Sequence, residues 1–137
     1  MKHVVTFPDI DTLVERMWGR HDLNRNPLVL TEVLRELGVD TKGLVHEIAR
    51  KLKERTMKEG YGREAKNGII YGLELMKWHE PVNSKRELRE ALTIRMELIK
   101  KILEGKVWIE PVIGDFILRT EDNEEFSIRD GVVAKRR

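Results

Sequence analysis

The amino-acid sequence predicts a mainly α, α+β fold: a four-helix-bundle-like core of amphipathic helices followed by a small C-terminal antiparallel β meander. Three observations carry this reading. Apolar residues recur at helical spacing between Thr12 and Glu104, with a cap or a glycine at most interruptions. After Gly105 the pattern changes to alternation in β-branched and aromatic runs. Asp130-Gly131, directly before Val132-Val133, is a type I′ hairpin signal.

Taken in order, residues 2–7 (Lys-His-Val-Val-Thr-Phe) read as a short strand or extended arm closed by Pro8. Asp9 and Thr12 compete to cap a first helix that runs to about Trp18 and stops at Gly19. Thr12 and Glu15 have the capping-box spacing. Residues 19–26 form a loop. Asn26 then caps a second helix with Pro27 at its first position, where the missing N–H costs nothing. Leu28, Leu30, Val33, Leu34 and Leu37 are its apolar face. Gly38 occupies the left-handed position of a Schellman ending, with Val39 packing back on Leu34.

A third helix starts near Asp40 or Thr41 and runs to about Lys58, with Leu44, Val45, Ile48 and Leu52 on its inner face. Gly60 and Gly62 break it. A fourth helix is expected over 63–79. It is apolar on two lines: Ala65, Ile69, Leu73 and Met76 on one, Tyr71, Leu75 and Trp78 on the other. Gly68 and Gly72 lie four apart on it and admit a second backbone. Ser84 and Glu87 form another capping box and open the longest helix, 85–104, whose stripe is Leu88, Ala91, Leu92, Ile99, Ile102 and Leu103, with Ile94 and Leu98 beside it.

Strands are expected over 106–110, 115–120 and 125–129, and again from Val132, with a turn at 121–124. The chain reads as a single domain over 1–137: a helical part over about 9–105, a meander over about 106–134 and a short basic tail, 135–137. So few meander residues do not build a secure core of their own, so they are expected to pack on the helices or pair with another chain.

Composition excludes more than it assigns. The 137 residues contain no glutamine and no cysteine, and 36% are Asp, Glu, Lys or Arg. Glutamine and cysteine, both heat-labile, are missing while charged residues are abundant, which points to a hyperthermophile. The composition is similar to that of small proteins of hyperthermophilic archaea and their viruses. Without cysteine there is no disulfide framework, thiolate nucleophile or Cys-type zinc site. A net charge of +2 is small for a dedicated nucleic-acid binder. No apolar run is long enough to span a membrane and no signal peptide opens the chain, so the expected location is cytoplasmic.

Catalytic motifs are sparse. His46-Glu47-Ile48-Ala49-Arg50 starts like a His-Glu-x-x-His zinc helix, but Arg50 stands where the second ligand belongs and cannot coordinate. His21-Asp22 needs further ligands from elsewhere. The only serines are Ser84, a helix cap, and Ser127, in a strand. Residues 60–68 lack the ending of a phosphate loop. No catalytic, cofactor or metal residue is assigned, and no enzymatic activity is expected.

Two classes remain. Protein–protein association is the first, with a homodimer as its unit. The two apolar lines of the fourth helix and the wide stripe of the fifth exceed what one small bundle needs, which names Tyr71, Leu75, Trp78, Ile94 and Leu98 as interface residues. The second is DNA binding. Residues 29–52 place a helix, the turn Gly38-Val39-Asp40 and a second helix carrying Leu44 in sequence, which resembles helix-turn-helix proteins. Leu34 and Glu47 depart from that family's pattern. The resemblance implies that Thr41, Lys42, Val45 and His46 approach base edges and that Arg50, Lys51 and Lys53 approach phosphates.

Overall fold

Caps and glycines fix the helix ends. The structure, a computed structural model, describes residues 7–136. The arm expected over 2–7 lies outside them except for Phe7, which packs against the core without joining a strand. Helix α1 is Ile10–Trp18. Asp9 wins the competition to cap it, its carboxylate accepting from the Thr12 amide at 2.9 Å. Helix α2 is Val29–Glu36 and starts later than Asn26-Pro27 suggests. Asn26 Oδ1 accepts from the Leu28 amide at 2.9 Å, and the Pro27 carbonyl turns outward to accept from the Trp78 amide at 2.9 Å. The Schellman ending is present in full. Gly38 sits at φ +89°, the Val39 amide donates to the Leu34 carbonyl at 2.9 Å and the Gly38 amide to Arg35 at 3.0 Å.

Helix α3, Thr41–Lys58, is capped by Asp40, which accepts from the Gly43 amide at 3.0 Å. The helix expected over 63–79 is shorter. A 3₁₀ turn, Ala65–Asn67, leads into α4, Gly68–Met76. Carbonyls at its end find partners outside the helix: Met76 accepts from Thr31 Oγ1 at 2.9 Å, and Leu75 from Arg95 Nη1 at 2.9 Å. With those carbonyls committed, Lys77 turns extended. Helix α5 is Lys85–Leu103, capped by the Ser84 hydroxyl on the Glu87 amide at 3.1 Å. The Glu87 carboxylate reaches back to the Asn83 amide at 2.7 Å, one residue earlier than a capping box requires.

The meander has four strands: β1 Val107–Val112, β2 Asp115–Thr120, β3 Glu125–Arg129 and β4 Val132–Arg136. They are antiparallel in the order β1-β2-β3-β4. Asp130 and Gly131 both take positive φ, 50° and 76°, as a type I′ turn demands. The molecule is therefore α+β, five helices followed by a four-stranded meander.

One buried apolar cluster draws on every helix and every strand, including Leu13, Leu30, Ile48, Leu75, Ile99, Ile109, Leu118, Phe126 and Val133. Inside it lies a charge. Arg95 of α5, which is fully buried, continues the stripe Leu88, Leu92, Ile99, Ile102. Its four terminal N–H groups all donate. Nη1 reaches the carbonyls of Leu75 (2.9 Å) and Lys77. Nη2 reaches Glu80 Oε2 at 2.9 Å and the Gly131 carbonyl at 2.7 Å. The guanidinium also lies 4.8 Å from the centre of the Trp78 ring. Among the described residues, two buried side-chain polar atoms have no partner, Arg95 Nε and Trp78 Nε1. Burial pulls the Arg95 pKa below the ordinary arginine range, and the Glu80 hydrogen bond and the charges of Glu80 and Glu74 oppose that pull.

The same residues close the β4 edge of the sheet. Glu80 Oε2 also accepts from the Val133 amide at 3.0 Å, Glu74 Oε2 from the Gly131 amide at 3.0 Å, and the His79 amide donates to the Gly131 carbonyl at 3.1 Å. At the other edge, the buried Thr56 hydroxyl of α3 accepts from the Ile109 amide at 3.0 Å. Arg55 donates to the Gly105 carbonyl at 2.8 Å and lies 4.8 Å from the centre of the Trp108 ring. Neither edge is left as an open template in its inner half.

Replacing Arg95 by Met leaves Glu80 as an uncompensated buried carboxylate beside three carbonyls that lose a donor. The expected loss is about 3–5 kcal/mol, read from denaturant midpoints. An R95M protein as stable as the parent would show that the hub contributes nothing.

Candidate functional site

Two glycines build the main exposed feature. A Cβ on Gly68 would stand 2.8 Å from the Ala49 carbonyl oxygen, and one on Gly72 would stand 2.8 Å from that of Val45. Rising numbers on α4 meet falling numbers on α3, so the helices lie antiparallel with their backbones nearly touching. Ile70 is half a turn from the glycine pair and faces away from α3. Ile70, Leu73 and Ile69 are accordingly 55%, 54% and 38% exposed, and Leu28 nearby is 53% exposed.

Beside this face runs a groove of about 670 Å³, floored by Val45, Ile69, Leu73 and Met76 and reaching Leu28 and Thr31. Arg35, Lys42 and His46 stand on its rim. Lys53 continues the line of Lys42 and His46 along α3 at the spacing that keeps residues on one face. Glu74 and Lys77 also line the groove, but Glu74 is committed to the Gly131 amide and to Lys77 at 3.4 Å. Arg35 spends its Nε on Thr41 Oγ1 at 3.0 Å. Among the described residues, Arg35, Lys42 and Lys53 have no carboxylate partner, although most cations of the chain do: Arg20 with Asp22 and Glu32, Arg50 with Glu47 and Glu54, Arg119 with Glu110 and Glu125, Lys101 with Asp122 and Glu124. The groove is thus apolar below and cationic along its margin.

A second apolar feature projects from the sheet. The β1–β2 hairpin pairs Pro111 with Phe116 and Val112 with Asp115, and Gly114 takes φ +73° at its tip. Ile113 is fully exposed there, with Val112 and Phe116 exposed beside it. The charges flanking this finger are paired: Glu110 with Arg119 at 2.7 Å, and Asp115 with Arg129.

The residues named from sequence fall differently. Leu75, Trp78 and Leu98 do not face outward as an interface. All three are buried in the chain's own core, and Tyr71 and Ile94 are half-buried against it. The reason is that the meander packs on the same side of α4 and α5 and covers the line expected to need a partner. On the other line Ala65 and Met76 are buried, while Ile69 and Leu73 are exposed. Of the four residues read as approaching base edges, two are buried and two are exposed. Thr41 and Val45 are buried under α2 and α4, while Lys42 and His46 are exposed at the groove rim. Arg50 is held by Glu47 and Glu54 on its own helix, and only Lys53 and the half-buried Lys51 extend the basic line. Asp22 is bound by Arg20 and Asn26, which hold its carboxyl well below the usual carboxylate range. No cluster of three or more His, Asp or Glu side chains able to hold a metal ion occurs among the described residues, nor is any helix long and apolar enough to cross a membrane.

The exposed α4 face was readable from Gly68 and Gly72: the side opposite a small-residue contact points outward. The finger had the weaker signal of an apolar residue, Ile113, beside a turn glycine. Comparison with known proteins adds nothing to this geometry, since no family model, no curated protein and no solved structure matches the chain.

Gly72→Ala tests the contact that creates the groove. Helix propensity favours alanine by up to about 1 kcal/mol. Overpacking against a backbone carbonyl costs about 1–3 kcal/mol. A net loss of stability is expected in urea unfolding, and a gain would show that α3 and α4 do not approach this closely.

Proposed function

We propose that the chain acts through protein–protein contacts, without chemistry of its own, and that a homodimer is its working unit. The observation that carries this is the apolar finger. Ile113, Val112 and Phe116 project from a surface whose charges are already paired, so two copies meet there without like-charge repulsion. The groove margin, with its free cations, is unsuited to facing its own copy. Exposed apolar side chains clustered on a projecting turn favour association over solvent contact. Light scattering after size-exclusion chromatography, at high micromolar concentration, is expected to give twice the chain mass. Ile113→Asp combined with Phe116→Asp is expected to halve it. A monomer for the parent protein overturns the homodimer.

The proposed origin in a hyperthermophile rests on composition and on ion pairs that share partners, such as Lys101 and Lys135 on Glu124, or Arg20 on Asp22 and Glu32. Calorimetry is expected to place Tm above about 90 °C. Melting in the mesophile range of about 45–65 °C removes the proposal.

A further inference from the structure

We infer that the α3–α4 groove binds an amphipathic, acidic helical segment of another polypeptide. This rests on a different surface from the dimer finger and stands or falls separately. Three features select the occupant. The groove is bounded by α2, α3 and α4, whose backbone amides and carbonyls are used within the helices. No sheet edge is offered, so an extended peptide has nothing to pair with. Recognition must come from side chains laid into an apolar trough, which is how an amphipathic helix docks. Ile69, Leu73, Val45 and Leu28 supply the apolar contact.

Charge decides the flanks. Arg35 and Lys42 lie along the margin with no carboxylate partner among the described residues, in a chain whose other cations are mostly paired. Acidic residues beside the apolar stripe of the guest complete those pairs, and basic residues there face repulsion. A second copy seated on the same groove brings a second cationic margin, Arg35 and Lys42, to it and no free carboxylate from that margin. A bilayer needs an apolar surface that protrudes, and this one is a groove bounded by three helices.

The test uses the full chain and two synthetic helical peptides of equal length. Both carry leucine at i, i+3, i+4 and i+7. One has glutamate flanking the leucines and the other lysine. By fluorescence anisotropy the glutamate peptide is expected to bind at least about tenfold more tightly than the lysine peptide, and more weakly as salt rises. Leu73→Asp, at an exposed position that leaves the fold intact by circular dichroism, is expected to abolish binding. Lys42→Glu is expected to weaken the glutamate peptide and strengthen the lysine peptide. Equal affinity for the two peptides, no binding of either, or binding that survives Leu73→Asp overturns the inference. So does self-association that is lost with Leu73→Asp while the finger variant keeps it, or Leu73-dependent sedimentation with phosphatidylserine vesicles.

Discussion

A single guanidinium ties the helical and β halves together. Arg95 sits on the inner stripe of α5, where apolar packing alone would place a leucine. It is tolerated because every terminal N–H finds an acceptor: two carbonyls at the end of α4, one carboxylate, and the carbonyl of the β3–β4 turn. Each acceptor depends on the others. Glu80 is held in place because it also accepts from Val133, and the Leu75 and Lys77 carbonyls at the end of α4 are committed to this charge where Lys77 turns extended. A buried ion pair is weak evidence of stability, since well-packed apolar residues do as well. What this one supplies is definition. An apolar stripe slides against an apolar sheet at little cost, whereas four directed hydrogen bonds accept only one placement.

That placement determines what is left on the outside. The sheet covers the Leu75 side of α4 and the inner stripe of α5, its inner edges are closed by Thr56 and by Glu74 and Glu80, and the close contact through Gly68 and Gly72 turns Ile69, Ile70 and Leu73 to solvent. The groove and the finger are the two apolar clusters described above, and their charge surroundings differ. Carboxylates and arginines are matched around the finger. At the groove margin Arg35 and Lys42 have no carboxylate partner among the described residues. The neutral surface suits self-contact and the cationic one suits a foreign, acidic guest, so the two roles need not compete.

Much of the architecture was legible because it is local. The Schellman ending at Gly38, the caps at Asp40 and Ser84, the change of period at Gly105 and the type I′ pair Asp130-Gly131 all appear where their chemistry demands. What the sequence left open was non-local. Two apolar lines on α4 say that two surfaces must be covered, but not by what. The meander covers the one that had been assigned to a partner. Stripes likewise leave the crossing of the helices unspecified, so the expected bundle arrangement was not derivable from them. Arg95 was hidden in plain view. A charge three residues after Leu92 and four before Ile99 breaks a stripe and asks for a buried partner, yet its acceptors lie 15 to 36 residues away in the chain. Asn26-Pro27 shows the reverse failure: a sound local helix start, displaced because the Pro27 carbonyl has a better use with Trp78.

The order of synthesis gives the Arg95 hub a further meaning. Until Gly131 and Val133 have been made, the guanidinium on α5 lacks one acceptor and Glu80 lacks one donor, so a growing polypeptide cannot complete its interior when the helices emerge. Closure of the core waits on the β3–β4 turn.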